Sequence, residues 1–244
     1  MIAMGLRSHV IRVLSVGIAS LAPWVAAAGE SAVSRVACPV RENDPRAVSR
    51  IITEQFLSSD PLAYKPKGTD IAKHFKTGYG WGNSIFYATA SLWVNAVENA
   101  RQFGETNLEA RLVEKFRPYL VREKDVLRPQ FHVDYNVVGA VPLAVARMTG
   151  DAKAREIGLR LADFQWSEPR KDAPVLNGNP GYVESLRLWK AGYSGETRLW
   201  IDDMYMINLL QTEAYKLTGD RKYVDRAARE MCLYLGGNCK TLLG

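Results

Sequence analysis

The sequence predicts an all-α fold, arranged as a toroid of helical hairpins. Three observations carry that reading. First, apolar residues recur at helical spacing along most of the chain, and strand-like alternation is weak throughout. Second, "ARMTGDAKAREIGLRLADFQW" (146–166) lines up with "YKLTGDRKYVDRAAREMCLYL" (215–235), 69 residues further on. Both carry Thr-Gly-Asp, one residue, then Lys. Third, the two helices flanking each such corner differ in character. The first is apolar nearly all round, as in "NVVGAVPLAVARM" and "MYMINLLQTEAYKL", and the second is amphipathic. A helix apolar on every side is expected to be buried on every side, so each pair reads as an inner helix and an outer one.

The elements follow in order. Residues 1–28 carry Arg7 and Arg12, then an apolar run from Val13 to Val25, then Ala26-Ala27-Ala28. That is the layout of a secretory signal peptide, with an apolar run too short to span a bilayer comfortably. It predicts a mature chain 29–244, secreted or periplasmic and off the membrane after cleavage. A short helix is expected over 45–58. A second runs over 83–103, with Asn83 or Ser84 as N-cap. Further helices are expected over 107–120, 134–148, 151–166, about 199–217 and 220–235. Gly150 and Gly219 can end their helices in left-handed turns, and Asp151 and Asp220 can cap the next ones. Helices 83–103 and 107–120, joined at Gly104, read as a third, degenerate copy. Pro142 lies inside an inner helix and is expected to kink it.

The inner-to-outer turns are short. The outer-to-inner connections, 59–82, 121–133 and 167–198, read as long loops. All three arrive at the same end of such a toroid, and sites are commonly built on loops held by a rigid scaffold. Each delivers a polar and aromatic cluster to an inner helix: "TGYGWGNS", "RPQFHVDYN" and "ETRLWIDDM".

Composition narrows the function. The chain is 47% hydrophobic and 24% charged, ordinary for a globular protein. The formal charge of +6 falls to +4 without Arg7 and Arg12. It is spread without a polybasic block, which suits an anionic small partner and argues against nucleic acid. No P-loop, dinucleotide-binding glycine signature or Ser-His-Asp pattern is present. Cys38, Cys232 and Cys239 match no zinc spacing; Cys232 with Cys239 is the nearest pair for a disulfide, and free thiols are the equal alternative.

The chemistry then falls to carboxylates. Asp134 and the pair Asp202–Asp203 stand at inner-helix starts. Capping is the usual role of an Asp there. Adjacent residues on a helix point about 100° apart, so Asp202 and Asp203 cannot share one role. The repeat register sets Asp203 opposite Asp134. Two facing carboxylates share a proton and one pKa rises, which is how a carboxylic acid remains available as a donor. His132 is a further mouth residue. Trp81 and Trp200, at loop-to-helix junctions, are the aromatic residues placed to stack on a sugar, with Tyr87 nearby; Trp93 reads as core.

These same residues carry a resemblance. "RLWIDDMYM" followed by "LTGDRKYVDRA", with "HVDYNVVGAVPLAVARMTGD" upstream, resembles glycoside hydrolase family 105 and the related family 88, the unsaturated rhamnogalacturonyl and glucuronyl hydrolases. It runs from about Gly78 to Gly236. The resemblance implies an (α/α)6 barrel. It also implies hydration of the 4,5-unsaturated uronic acid that polysaccharide lyases leave on oligosaccharides, with no metal or other cofactor. By motif match Asp202 would be the acid/base and Asp134 the assisting aspartate. Trp200 matches the tryptophan beside the site, and Asp203, at a position that varies in the family, would support the site; Trp81, Tyr87 and His132 remain substrate-binding candidates from their place at the mouth. Seven helices are expected where that fold uses twelve, and the family's later histidine and arginine segments have no counterpart. The chain thus reads as a partial barrel, apparently truncated at the C-terminus, with exposed edges suited to self-association. The alternative is an inactive remnant that binds carbohydrate without turnover. A barrel lyase or epimerase would require more His and Tyr at the mouth.

Overall fold

The computed structural model describes residues 44–59, 85, 87–121, 132–173 and 180–236. The signal-peptide reading, Trp81, Cys38, Cys239 and the expected caps Asn83 and Ser84 lie outside the described residues. All described residues fall in one packed unit, Val40–Gly244.

Every regular element among the described residues is helical. In chain order they are α1 (Pro45–Ser58), α2 (Tyr87–Gln102), α3 (Thr106–Val121), α4 (Val133–Asn136), a 3-10 turn (Val137–Gly139), α5 (Ala140–Thr149), α6 (Ala152–Phe164), α7 (Tyr182–Lys190), α8 (Ile201–Thr218) and α9 (Arg221–Tyr234). The hairpins α2–α3, α5–α6 and α8–α9 form as the repeat predicts, and α5 also packs against α2, α3 and α8.

The Thr-Gly-Asp corners share their threonine bonds and glycine turns and differ only in which N–H the Asp caps. Thr149 and Thr218 each donate a hydroxyl hydrogen bond to the carbonyl four residues back, Val145 and Ala214, both at 2.8 Å. Each hydroxyl also accepts from the backbone N–H of the following Asp, at 3.1 and 3.0 Å. Gly150 and Gly219 sit at φ 74° and 69°, the left-handed region that strains residues with a Cβ. Asp151 Oδ1 then accepts from Ala154 N at 2.9 Å and Asp220 Oδ1 from Lys222 N at 3.0 Å. Gly104, at φ 68°, turns the third hairpin.

The α2–α3 layer is centred on Trp93, fully buried, whose ring meets Phe56 and Phe116 edge-on at 5.2 and 5.3 Å. Its Nε1 donates to Leu112 O at 3.0 Å, so the indole is buried without losing its hydrogen bond. At the corner end, Arg147 of α5 bridges Glu98 of α2 and Glu213 of α8. Burial raises the Glu98 carboxyl, but the facing Arg147 and Lys216 outweigh it and hold it below the ordinary range.

Three expectations are corrected. The stretch 167–198 is not a continuous loop: it contains α7, whose Trp189 Nε1 donates to Trp166 O at 3.3 Å. A nine-residue helix between Gly and Pro punctuation is short enough to lack a clear period. The inner helix 134–148 is not one α-helix either. It passes through the 3-10 turn, because Pro142 has no N–H to offer the Val138 carbonyl. And α8 is not buried all round. Residues 140–146 are buried without exception, but Ile201, Asp202, Tyr205, Thr212 and Lys216 form an exposed face of α8. Among the described residues α9, α5, the 3-10 turn, α4 and α6 pack against its other sides. Cys232 is a buried free cysteine. No helix among the described residues is long and apolar enough to cross a membrane.

Candidate active site

The site is organised by a loop that the fold buries. Residues 194–198 run between α7 and α8, and all but Gly195 are buried. A buried loop has no sheet or helix to satisfy its backbone, so partners must come from side chains. Two carboxylates supply them. Glu230 of α9 accepts from Ser194 N at 2.9 Å and from the Thr197 hydroxyl. Asp203 of α8 accepts from Arg198 N at 2.7 Å and Trp200 N at 3.3 Å. On the other side Gln165 O accepts from Ser194 Oγ at 2.6 Å and Gly195 N at 3.1 Å. Gly195 has no substitute there, since a Cβ would meet Ser167 O at 2.3 Å.

Arg198 is the centre of the cluster. Its Nε donates to Asp203 Oδ1 at 2.8 Å, and Nη2 donates to the same oxygen at 2.5 Å. Nη2 also donates to Asp134 Oδ1 at 2.9 Å. Nη1 lies 3.2 Å from His132 Nε2. One guanidinium therefore ties the start of α4 to the start of α8. Asp203 completes a capping arrangement at α8 by accepting from Trp200 N. His132 is fully buried and caps α4 through Nδ1, 3.2 Å from Asp134 N. A neutral imidazole has one acceptor nitrogen, so the ring serves either that N–H or Arg198 at a given moment.

Charge sets the behaviour of this cluster. Burial raises the Asp134 carboxyl, Arg198 pulls it down, and Asp202 pushes it up again; the net direction is up. Burial likewise raises Asp203 against its bonds from Arg198. Burial disfavours the Arg198 cation, but Asp203 and Asp134 more than compensate and its pKa rises. Glu230 is pushed by burial to about 7. Glu196, whose carboxyl oxygens are sealed from solvent, is pushed well above the ordinary 4.5 by the same cause.

Asp202 and Asp203 separate as the helical angle requires. Asp203 is fully buried and Asp202 is exposed. Asp202 nonetheless lies close enough to act electrostatically on both Asp134 and Arg198. Trp200, 48% exposed, caps α8 with Arg198 over its ring at 4.4 Å. Leu199 between them takes φ 64°, uncommon for a residue with a branched side chain. Tyr87 is half-buried and packs against the core. The structure thus brings Asp134, His132, Trp200, Asp202 and Asp203 to one place.

Sequence reasoning missed Arg198, Glu196 and Glu230. Arg198 stood in the quoted "ETRLWIDDM", and a cation between two Asp-bearing helix starts was the available signal. A cleft of about 90 Å³ opens on the other face of the loop, lined by Ser167, Arg170, Lys171, Tyr182 and Glu196 among others, and by neither Asp202 nor Trp200. The Glu196 carboxyl oxygens are nevertheless sealed from solvent. Among the described residues no group of three or more His, Cys, Asp and Glu could hold a metal ion.

No protein-family model, curated protein or solved structure matches this chain.

Proposed function

We propose that the protein hydrolyses 4,5-unsaturated uronyl oligosaccharides of the kind that lyase digestion of pectin or rhamnogalacturonan produces. The helical hairpins would then form part of an (α/α) toroid with its mouth at the start of α8. One observation carries the reading: exposed Asp202 stands beside buried Asp134 on another helix, next to half-exposed Trp200. The resemblance of "RLWIDDMYM" and "HVDYN" to glycoside hydrolase families 105 and 88 supplies the reaction class.

In this reading Asp202 gives a proton to C4 of the C4–C5 double bond. The carboxylate so formed takes a proton from water, whose oxygen bonds to C5. The resulting hemiketal opens by breaking the ring C5–O bond. The hemiacetal left at C1 then collapses and releases the next sugar as an alcohol, so that one water is consumed overall. Asp134, held by Arg198, steadies the charge and binds a sugar hydroxyl. Trp200 offers an apolar face to the ring. The mildly basic chain suits an anionic substrate.

The test is loss of the ultraviolet absorbance of the double bond when the protein is mixed with lyase-generated unsaturated disaccharides. Asp202→Asn should abolish the loss and leave the helical circular dichroism unchanged. Turnover by that variant at the wild-type rate sinks the assignment. Binding of the disaccharide without absorbance loss by the wild type points instead to the inactive carbohydrate-binding remnant.

A further inference from the structure

We propose that His132 is a neutral imidazole held in its Nδ1–H tautomer, a positioning residue that steadies one oxygen of Asp134 while Arg198 holds the other. Three observations lead there.

The first is geometry. His132 is fully buried at the start of α4. Its Nε2 lies 3.2 Å from Arg198 Nη1. Its Nδ1 lies 3.2 Å from Asp134 N and 3.6 Å from Asp134 Oδ2. A donor therefore faces each ring nitrogen, and a carboxylate oxygen stands beside one of them.

The second is the chemistry of those neighbours. A guanidinium offers N–H donors and has no acceptor. The Nε2–H tautomer would set an N–H against that cation in a site sealed from solvent. The Nδ1–H tautomer turns the Nε2 lone pair toward Arg198 instead. It then accepts a charge-assisted bond, roughly twice as strong as a neutral one. What it gives up is the neutral bond from Asp134 N, and in exchange the Nδ1 proton faces the Asp134 carboxylate. A small turn of that carboxyl closes the 3.6 Å separation to a hydrogen bond. Asp134 of α4 and Asp203 of α8, behind Arg198, favour a positive ring, and Arg198 of the buried loop opposes it. The 3.2 Å contact decides between them, because an imidazolium also sets N–H against N–H there.

The third is the division of Asp134. Arg198 Nη2 donates to Oδ1 at 2.9 Å, and His132 stands on the side of Oδ2. With both oxygens engaged the carboxylate keeps one orientation. Tyr135 meets the His132 ring edge-on at 5.7 Å and adds to what holds the ring in place. The use of this device in turnover rests on the reading of Asp134 as the assisting aspartate. The tautomer does not, and it is read without substrate.

The experiment is nitrogen NMR of the full chain with labelled histidine. The other histidines, His9 and His74, lie outside the described residues. His9→Gln and His74→Gln, made together, leave His132 as the one imidazole without substituting a residue of the cluster. A protonated Nδ1 and an unprotonated Nε2 are expected, unchanged between about pH 8 and pH 5, where a free imidazole titrates. A proton on Nε2 instead, or uptake of a second proton in that range, overturns the proposal. A second arm follows labelled aspartate carboxyls. His132→Leu removes the N–H and should shift the Asp134 titration upward. His132→Gln offers an amide N–H in its place and should keep the titration nearer the wild-type value. An unmoved Asp134 titration in a Leu variant with wild-type helical circular dichroism overturns the positioning role. The histidine spectrum decides the tautomer even where the Leu variant fails to fold, and loss of the sugar reading leaves that result standing.

Discussion

Asp203 grips Arg198 at two levels: one carboxylate oxygen accepts from the guanidinium at 2.8 and 2.5 Å, and the other accepts from the Arg198 backbone N–H at 2.7 Å. Both side chains are sealed from solvent. Removing Arg198 leaves Asp203 as a buried charge without its cation, and removing Asp203 leaves Arg198 with Asp134 alone; breaking a buried pair typically costs about 3–5 kcal/mol. Asp203→Ala and Arg198→Ala should each lose that much in urea unfolding. The double variant should lose clearly less than the sum, because it leaves fewer orphaned charges. Strict additivity would show that the pair does not interact.

Asp202 should behave in the opposite way. It is exposed, and surface substitutions usually stay within about 0.5 kcal/mol. Asp202→Asn should therefore unfold at the wild-type urea midpoint. Asp202 also raises the Asp134 carboxyl, so removing its charge should lower the Asp134 pKa, read by NMR of labelled aspartate carboxyls.

The Glu230 carboxyl gives a pH signature. Its folded value of about 7 lies above the ordinary 4.5. Between those values the folded state holds a proton that the unfolded state has released, so stability falls as pH rises. The fall should begin near 4.5, reach about 3 kcal/mol in total, and level off above about 7. Glu230→Gln should flatten this part of the curve measured by urea unfolding across pH. An unchanged slope would remove Glu230 as its source.

Gly195→Ala tests the buried loop. The new Cβ would meet Ser167 O at 2.3 Å, a backbone atom that cannot rotate aside. Overpacking of this kind costs about 1–3 kcal/mol. The thermal midpoint should drop, and the stacking of Arg198 on Trp200 should be disturbed, visible as a shift in tryptophan fluorescence.

Much of the fold could be read from the sequence because its corners are local. Thr149, Gly150 and Asp151 form their bonds with residues at most four positions away, so the motif shows in the string of letters. The split of Asp202 from Asp203 is also local, since it follows from the angle between neighbours on a helix. Arg198 was overlooked for the opposite reason. Its partners Asp134 and His132 lie 64 and 66 positions away, and only packing brings them together. Glu230 and Glu196 look like surface glutamates until the loop that holds Glu196 and bonds Glu230 is seen to be buried. The exposed side of α8 escaped for a related reason: apolar letters all round a helix suit burial but do not supply the neighbour that performs it.

At Gly150 and Gly219 a Cβ would find nothing within 4 Å, while the backbone sits at φ 74° and 69°. The two corners therefore have room for a Cβ. What they demand is handedness: a D-alanine, built in by chemical ligation, would fit where L-alanine strains, because its preferred backbone angles are the mirror image.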